Sequence, residues 1–303
     1  MSDADTPPGR ALEPEYHTPP APPQHGRAGR NLPAAIAVGV GLAVLLLLSL
    51  WKFQLGFAVF VAVALAQAAV ELHHALRRLQ MHAAIVPIVG GTFLIVVGSY
   101  FAGQRDVAAA DATSILLAAI GVTVLASLVW RMPGGAQGYV KDVAASLFII
   151  AYVPLLGAFV SLMLADQDGS LRVLTFIAVV VCSDIGGYAV GVLAGRHPMA
   201  PRISPKKSWE GFAGSMVLGC LVAVLMTRLT LGTPVWVGLV LGATLVGIGV
   251  CGDLIESLIK RDVGIKDMSS ILPGHGGVMD RLDSLLVSAP VAWLTMYLLI
   301  PGG

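Results

Sequence analysis

Long apolar runs alternate with short polar breaks along most of this 303-residue chain. Most of the runs reach the ~17–25 residues that an α-helix needs to cross a bilayer. The second run is short, and it continues into a polar stretch from Glu71 to His82. The pattern predicts an all-α, polytopic integral membrane protein with about nine transmembrane helices. The nine predicted segments are 34–50, 55–70, 84–102, 112–130, 143–165, 171–195, 212–228, 233–252 and 284–300.

Composition supports the same class. Hydrophobic residues make up 56% of the chain and charged residues only 12%, about half of what a typical soluble domain carries. Mean hydropathy is +0.82, so a soluble enzyme is excluded. The net charge of +1 gives no reason to expect nucleic acid as a partner. The three cysteines lie in apolar runs without metal-ligand spacing, which argues against a zinc site or a disulfide framework.

The first 33 residues differ from the rest because they contain eight prolines among glycine, alanine and charged residues. Such a segment cannot bury enough apolar surface to fold. We therefore expect residues 1–33 to be a disordered cytoplasmic tail that the chemistry does not need. Residues 34–303 then form the transmembrane domain, with its catalytic part at about 180–284.

The basic residues predict the orientation. If the N-terminal tail is cytoplasmic and the breaks alternate between sides, 15 of the 19 lysines and arginines lie inside. Only Lys52, Arg105, Arg172 and Arg228 lie outside, as the positive-inside rule requires. The same assignment places the polar breaks 196–211 and 253–283 in the cytoplasm, where nucleotides are available.

The eighth run leads into a polar stripe. If its helix continues, Asp253, Glu256, Ser257 and Lys260 fall on one face, because residues three, four and seven apart share a side of a helix. One interpretation is a solvated helix end with intrahelical ion pairs. The other is a functional face that presents carboxylates and an ammonium group.

A glycine-rich loop around His275 then leads to Asp280 and Asp283, which share a helical face. Helix N-capping would explain one of these aspartates, but it does not explain a pair beside an apolar run. Together with Asp253 from the preceding helix, they are suited to bind one or two hard divalent cations.

Two other polar positions are candidates. Asp184 lies well inside an apolar run, where an ionisable residue is either functional or neutralised by a structural partner. Ser204, Lys206 and Lys207 lie in a cytoplasmic break and suit a phosphate, either of a nucleotide or of a lipid headgroup; ordinary cytoplasmic basicity is the alternative. We interpret Glu71, His73 and His74 as interfacial residues at the end of the second run.

Read together, these residues resemble the phosphatidate cytidylyltransferase family, also called the CDP-diacylglycerol synthases. The block Ile203 to Gly211 also resembles a family segment, although Ser208 stands where threonine is usual. Ser183 and Ile185 flank Asp184 where asparagine and threonine are common. The long signature reads Ser257-x-x-Lys260-Arg261-x-x-x-x-Lys266-Asp267-x-Ser269-x-x-Leu272-Pro273-x-His275-Gly276-Gly277-x-x-Asp280-Arg281-x-Asp283.

The resemblance implies a membrane enzyme that makes CDP-diacylglycerol and pyrophosphate from CTP and phosphatidate. The charge pattern and the tail agree with a bacterial plasma membrane, with the active site facing the cytoplasm. The resemblance also implies Mg²⁺ as cofactor, with K⁺ as a second cation in some members, and a homodimer. The metal ligands would be Asp253, Asp280 and Asp283. The triphosphate or the leaving pyrophosphate would be held by Lys260, Arg261 and Lys266. The remaining substrate-binding positions would be Asp184, Ser204, Lys206, Lys207, Ser257, His275 and Arg281.

Two rival functions stay open at this point. A secondary transporter would use the aspartates as an ion relay, but it would be expected to carry inverted repeats and polar groups in both halves. A related enzyme would use CTP on another lipid, as a polyprenol kinase or an archaeal-lipid cytidylyltransferase does.

Overall fold

The computed structural model describes residues 32–102, 104, 112–272 and 276–300. Most of the predicted tail and His275 therefore lie outside the described residues. The described part is almost entirely helical, with one short β-hairpin. Its helices are α1 (Leu32–Lys52), α2 (Gln54–Arg77), α3 (Ile85–Ala102), α4 (Ala112–Arg131), α5 (Tyr139–Ile150), α6 (Leu156–Leu164), α7 (Gly169–Ala194), α8 (Trp209–Thr230), α9 (Val235–Asp262) and α10 (Met279–Leu299).

The prediction of an all-α membrane protein is confirmed. In the described residues, eight helical segments are long and apolar enough to cross a membrane, and each coincides with one predicted segment. The remaining predicted segment, 34–50, falls on α1, in which Gly39–Lys52 forms a shorter apolar helical stretch. The chain is therefore an integral membrane protein.

Helices α5 and α6 form one continuous span, Tyr139–Leu164, around Pro154. Proline lacks an N–H group and its ring clashes with the preceding helical turn. The chain accommodates this proline in one π-helical turn, Ala151–Leu155. The span therefore continues through the proline without a break.

A small hairpin departs from the helical pattern. Strand β1 (Pro198–Ala200) pairs antiparallel with β2 (Ser204–Ser208). The hairpin ends directly at α8, whose N-terminus is capped by Ser208: its Oγ accepts a hydrogen bond from the N–H of Gly211 at 3.1 Å. The basic residues of β2 are thereby fixed to the start of a transmembrane helix.

Helices α7 and α8 approach each other unusually closely, because glycines face glycines across the contact. A Cβ atom added at Gly186 would lie 2.7 Å from the carbonyl oxygen of Gly214, and one at Gly211 would lie 3.0 Å from that of Gly187. Small residues permit such an approach between membrane helices. This close contact lies beside Asp184 on α7.

Hydrogen bonds distinguish the two ends of the helical bundle. At one end, the His82 N–H donates to Asp142 at 2.7 Å, and the Met279 N–H donates to Glu71 at 2.8 Å. At the other end, Ser170 Oγ donates to the Leu50 carbonyl at 2.9 Å. We call the first the basic end, because it carries the breaks in which most lysines and arginines lie.

Candidate active site

A polar cavity of about 360 Å³ opens among the hairpin and helices α7, α8, α9 and α10. This volume lies in the ~300–1,000 Å³ range of ligand pockets. Eight of the residues predicted from the sequence line it together. They are Asp184, Ser204, Lys206, Lys207, Asp253, Asp280, Arg281 and Asp283.

Lys207 joins the hairpin to α9. Its Nζ lies 2.5 Å from Asp253 Oδ2 and donates to the Val250 carbonyl oxygen at 3.3 Å. These two contacts hold β2 against α9 beside the cavity. Ser204 and Lys206, which also belong to β2, line the same cavity.

Asp280 is held by several donors at the start of α10. Its Oδ1 lies 3.0 Å from Lys260 Nζ, and its Oδ2 accepts from the Gly277 N–H at 2.7 Å and the Met268 N–H at 3.0 Å. Gly276 has a φ of +85°, a left-handed conformation that glycine adopts without strain. The glycines of the signature thus allow the backbone to fold closely around Asp280.

Lys260 also pairs with Glu256, one helical turn earlier, at 2.5 Å. Glu256 is fully buried, and its Oε1 has no hydrogen-bond partner among the described residues. The interpretation of this stripe as an intrahelical ion pair therefore applies to Glu256 and Lys260. Of the polar residues in this stripe, Asp253 is the one in the cavity lining.

Asp184 and Asp283 differ from Asp253 and Asp280 in the charges beside their carboxylates. Each lines the cavity, but within the described ranges neither forms an ion pair with a protein cation. Asp283 Oδ1 accepts the N–H of the adjacent Ser284 at 2.7 Å. Carboxylates in an apolar environment need a compensating charge, so these two are suited to an external cation or a ligand donor.

The carboxylates that line the cavity are the residues that could hold a divalent cation. In the part of the chain that the structure describes, no three His, Cys, Asp or Glu side chains form a ready-made metal centre. Mg²⁺, however, is usually held by one or two carboxylates together with substrate phosphates and water. Asp283, with Asp253 or Asp280 beside the same cavity, provides a donor set of this kind.

Four other predicted residues lie outside the cavity lining. Arg261 Nε donates to the Ile203 carbonyl at 3.4 Å and so joins α9 to the hairpin. Lys266 is exposed, and Ser257 is half-buried on α9. Lys260 forms ion pairs with Glu256 and Asp280. The structure does not bring these four to the cavity wall.

The interpretation of Glu71 as an interfacial residue is wrong. Its side chain is only 2% exposed, and it accepts hydrogen bonds from the N–H groups of Val278 and Met279. The signal that singled out Asp184, an acid within an apolar helix, was present here too. Its partners, however, lie about 200 positions away in the sequence, and no local pattern connects them.

Comparisons with known proteins identify one family. A model described as the cytidylyltransferase family matches residues 33–299. The chain is 42% identical over 297 residues to a phosphatidate cytidylyltransferase of Mycobacterium leprae, covering 91% of this chain and 90% of that protein. It is 40% identical over 292 residues to the protein of that name from Mycobacterium tuberculosis H37Rv, covering 90% and 84%. A shorter match, 38% identical over 151 residues, is to the phosphatidate cytidylyltransferase of Aquifex aeolicus, covering 50% and 56%.

Proposed function

Because this chain belongs to the cytidylyltransferase family, we propose that it transfers the CMP moiety of CTP to phosphatidate, forming CDP-diacylglycerol and pyrophosphate. The observation that carries the proposal is the polar cavity at the basic end, where lysines of β2 face aspartates of α7, α9 and α10. Phosphate-binding cations and metal-binding carboxylates meet there at the edge of a membrane-spanning bundle.

The reaction needs positioning and charge neutralisation more than covalent catalysis. An oxygen of the phosphatidate phosphate attacks the α-phosphorus of CTP, and the bond from that phosphorus to the bridging oxygen of the β-phosphate breaks. Pyrophosphate leaves with the bonding electrons. A phosphate monoester is largely ionised at neutral pH, since its second pKa is near 6, so the nucleophile requires no strong general base.

Lys206, Lys207 and Ser204 hold phosphate oxygens in this scheme. Lysines act as point charges and the hydroxyl as a hydrogen-bond donor. The ion pair of Lys207 with Asp253 keeps the ammonium at the cavity wall before substrate arrives. Arg281, at the start of α10, also lines the cavity and is suited to a second phosphate oxygen.

Lys260 has a different role in our scheme from the one expected from the sequence, which was to hold the triphosphate or the leaving pyrophosphate. Its ammonium already contacts Glu256 and Asp280. We therefore assign it to the orientation of Asp280 rather than to direct contact with the triphosphate. Loss of Lys260 would leave two carboxylates without their cation in a largely apolar environment, which is costly.

Mg²⁺ would be held by Asp283 together with Asp253 and Asp280, and K⁺ is the candidate second cation. When bound, a divalent ion neutralises phosphate charge and polarises the phosphoryl group. The basic end would face the cytoplasm of a bacterium, where CTP meets lipid of the inner leaflet, because that orientation satisfies the positive-inside rule.

The test uses purified protein in mixed micelles with phosphatidate and CTP labelled at either the α- or the γ-phosphorus. We expect lipid-soluble label from α-labelled CTP only, requiring both phosphatidate and Mg²⁺ and abolished by EDTA. Label from the γ-position would instead identify a lipid kinase. Folded protein that labels no lipid from either position would contradict the proposal and would favour the transporter.

A further inference from the structure

Glu71 of α2 contacts the segment that precedes and begins α10. Its Oε1 accepts from Ser269 Oγ at 2.7 Å and from the Val278 N–H at 3.0 Å. Its Oε2 accepts from the Met279 N–H at 2.8 Å. One carboxylate therefore connects two regions of the chain that are separated by about 200 residues.

The charge of Glu71 is compensated by these donors rather than by a cation. Among the described side chains, no lysine, arginine or histidine forms an ion pair with it. The first N–H groups of a helix have no intrahelical acceptors, and the helix dipole favours a negative charge beside them. Glu71 supplies both the acceptors and the charge at the N-terminus of α10.

The same few residues connect Glu71 to Asp280. A Cβ atom added at Gly277 would lie 2.5 Å from Glu71 Oε2 and 3.0 Å from Asp280 Oδ2. The Gly277 backbone is thus packed between two carboxylates, and its N–H donates to Asp280. A movement of Glu71 would displace the backbone that orients Asp280 and, one helical turn later, Asp283.

We infer that Glu71 is a positioning residue, which fixes the start of α10 and so sets the place from which Asp280 and Asp283 face the cavity. The inference rests on the proposed function for its kinetic consequence, but its structural consequence can be measured without turnover. It gives α2 a part in the site, although α2 contributes no residue to the cavity lining.

The first test compares Glu71→Gln with Asp262→Asn. The glutamine keeps the size of the side chain but replaces one acceptor oxygen by a donor, which opposes the backbone N–H groups. Asp262 is an exposed acid at the end of α9, so its variant controls for the loss of one negative charge at the basic end.

For Glu71→Gln we expect a fall in kcat of about ten- to hundredfold, because small displacements of positioned groups have effects of that size. The KM for CTP should change little, since the lysines of β2 are untouched. The Mg²⁺ concentration for half-maximal activity should rise. If Glu71 were merely structural, the amount of folded protein would fall while the folded fraction kept the kcat of the native enzyme.

The second test measures amide hydrogen exchange in peptides that cover Val278 and Met279. We expect both amides to exchange at least about tenfold faster in Glu71→Gln than in the native chain or in Asp262→Asn. Unchanged exchange would overturn the inference even if activity were lost. Faster exchange with native kcat would overturn it as well. If the native protein forms no CDP-diacylglycerol, the proposed function fails, while the exchange result still tests the contact.

Discussion

The four aspartates of the cavity differ in what surrounds each carboxylate. Asp253 is paired with Lys207 and Asp280 with Lys260, so protein cations already compensate these two. Among the described residues, Asp283 accepts the adjacent Ser284 N–H and forms no ion pair with a lysine, arginine or histidine. A carboxylate kept in an apolar environment without a cation costs free energy. Asp184 and Asp283 are therefore the positions at which an incoming cation gains most, and Asp283 is the one of the two that belongs to the proposed Mg²⁺ donor set.

This difference leads to a prediction for Asp283→Asn. The amide has nearly the same shape and still accepts the Ser284 N–H, but it cannot neutralise a divalent cation. We expect turnover to fall by about 10²–10³-fold, the usual effect of removing a group that stabilises developing charge. The unfolding temperature in detergent should be unchanged or higher, because an uncompensated charge is removed.

The measurements are label transfer from α-labelled CTP and a thermal unfolding curve on the same preparation. Asp168→Asn is the matched control: it makes the same change at an exposed position at the opposite end of the bundle. Turnover close to that of the native enzyme at saturating Mg²⁺ would show that Asp283 is not a metal ligand.

At the scale of elements, periodicity and run length predicted the helices but not all of their ends. The eighth predicted segment stops at residue 252, yet α9 continues to Asp262, where Glu256 and Lys260 pair across one turn. Such pairs stabilise a helix beyond the end of its continuous apolar run. The hairpin was missed because strands of three and five residues carry no detectable alternation.

The site was predictable to the extent that its residues lie in one motif-rich stretch. Asp253, Asp280 and Asp283 were found from helical spacing, and Lys206 and Lys207 from charge. The contact of Glu71 with Ser269 and α10 depends on how α2 packs against distant elements. That packing is decided by apolar surfaces that look alike in sequence, so local patterns could not reveal it.

Close packing of α7 on α8 leads to a prediction for Gly186→Ala. The new methyl group would lie 2.7 Å from a backbone oxygen of Gly214 and 2.9 Å from Leu218 Cβ, so the helices must separate. Overpacking of this kind typically costs about 1–3 kcal/mol of unfolding free energy. Activity per folded molecule should also fall, because Asp184 is carried on the same helix.

The control is Gly247→Ala on α9, where an added Cβ atom meets nothing within 4 Å. This substitution should leave activity unchanged and stability equal or slightly higher, since alanine is the better helix former. Unfolding curves and label transfer measure both effects. Equal stability of the two alanine variants would contradict the glycine-mediated contact between α7 and α8.

At the scale of the whole molecule, charge and chemistry coincide at one end of the bundle. The cavity lies where the basic breaks, the hairpin and the N-terminus of α10 meet. The opposite end is held by contacts of another kind: Arg172 donates to the carbonyl oxygens of Met296 and Ile300 at the end of α10. If basic residues determine orientation, the cavity must open to the cytoplasm.

This argument predicts a labelling pattern for single-cysteine variants. The three native cysteines are free and would first be replaced by alanine. Ala136→Cys places a thiol in the exposed break between α4 and α5 at the basic end, and Asp168→Cys places one in the exposed break between α6 and α7 at the other end. In spheroplasts, a membrane-impermeant maleimide should label only the cysteine at 168. The cysteine at 136 should react after permeabilisation, and both should react in denatured protein. The reverse pattern would place the cavity outside, away from cytoplasmic CTP, and would contradict the proposed reaction and the proposed orientation together.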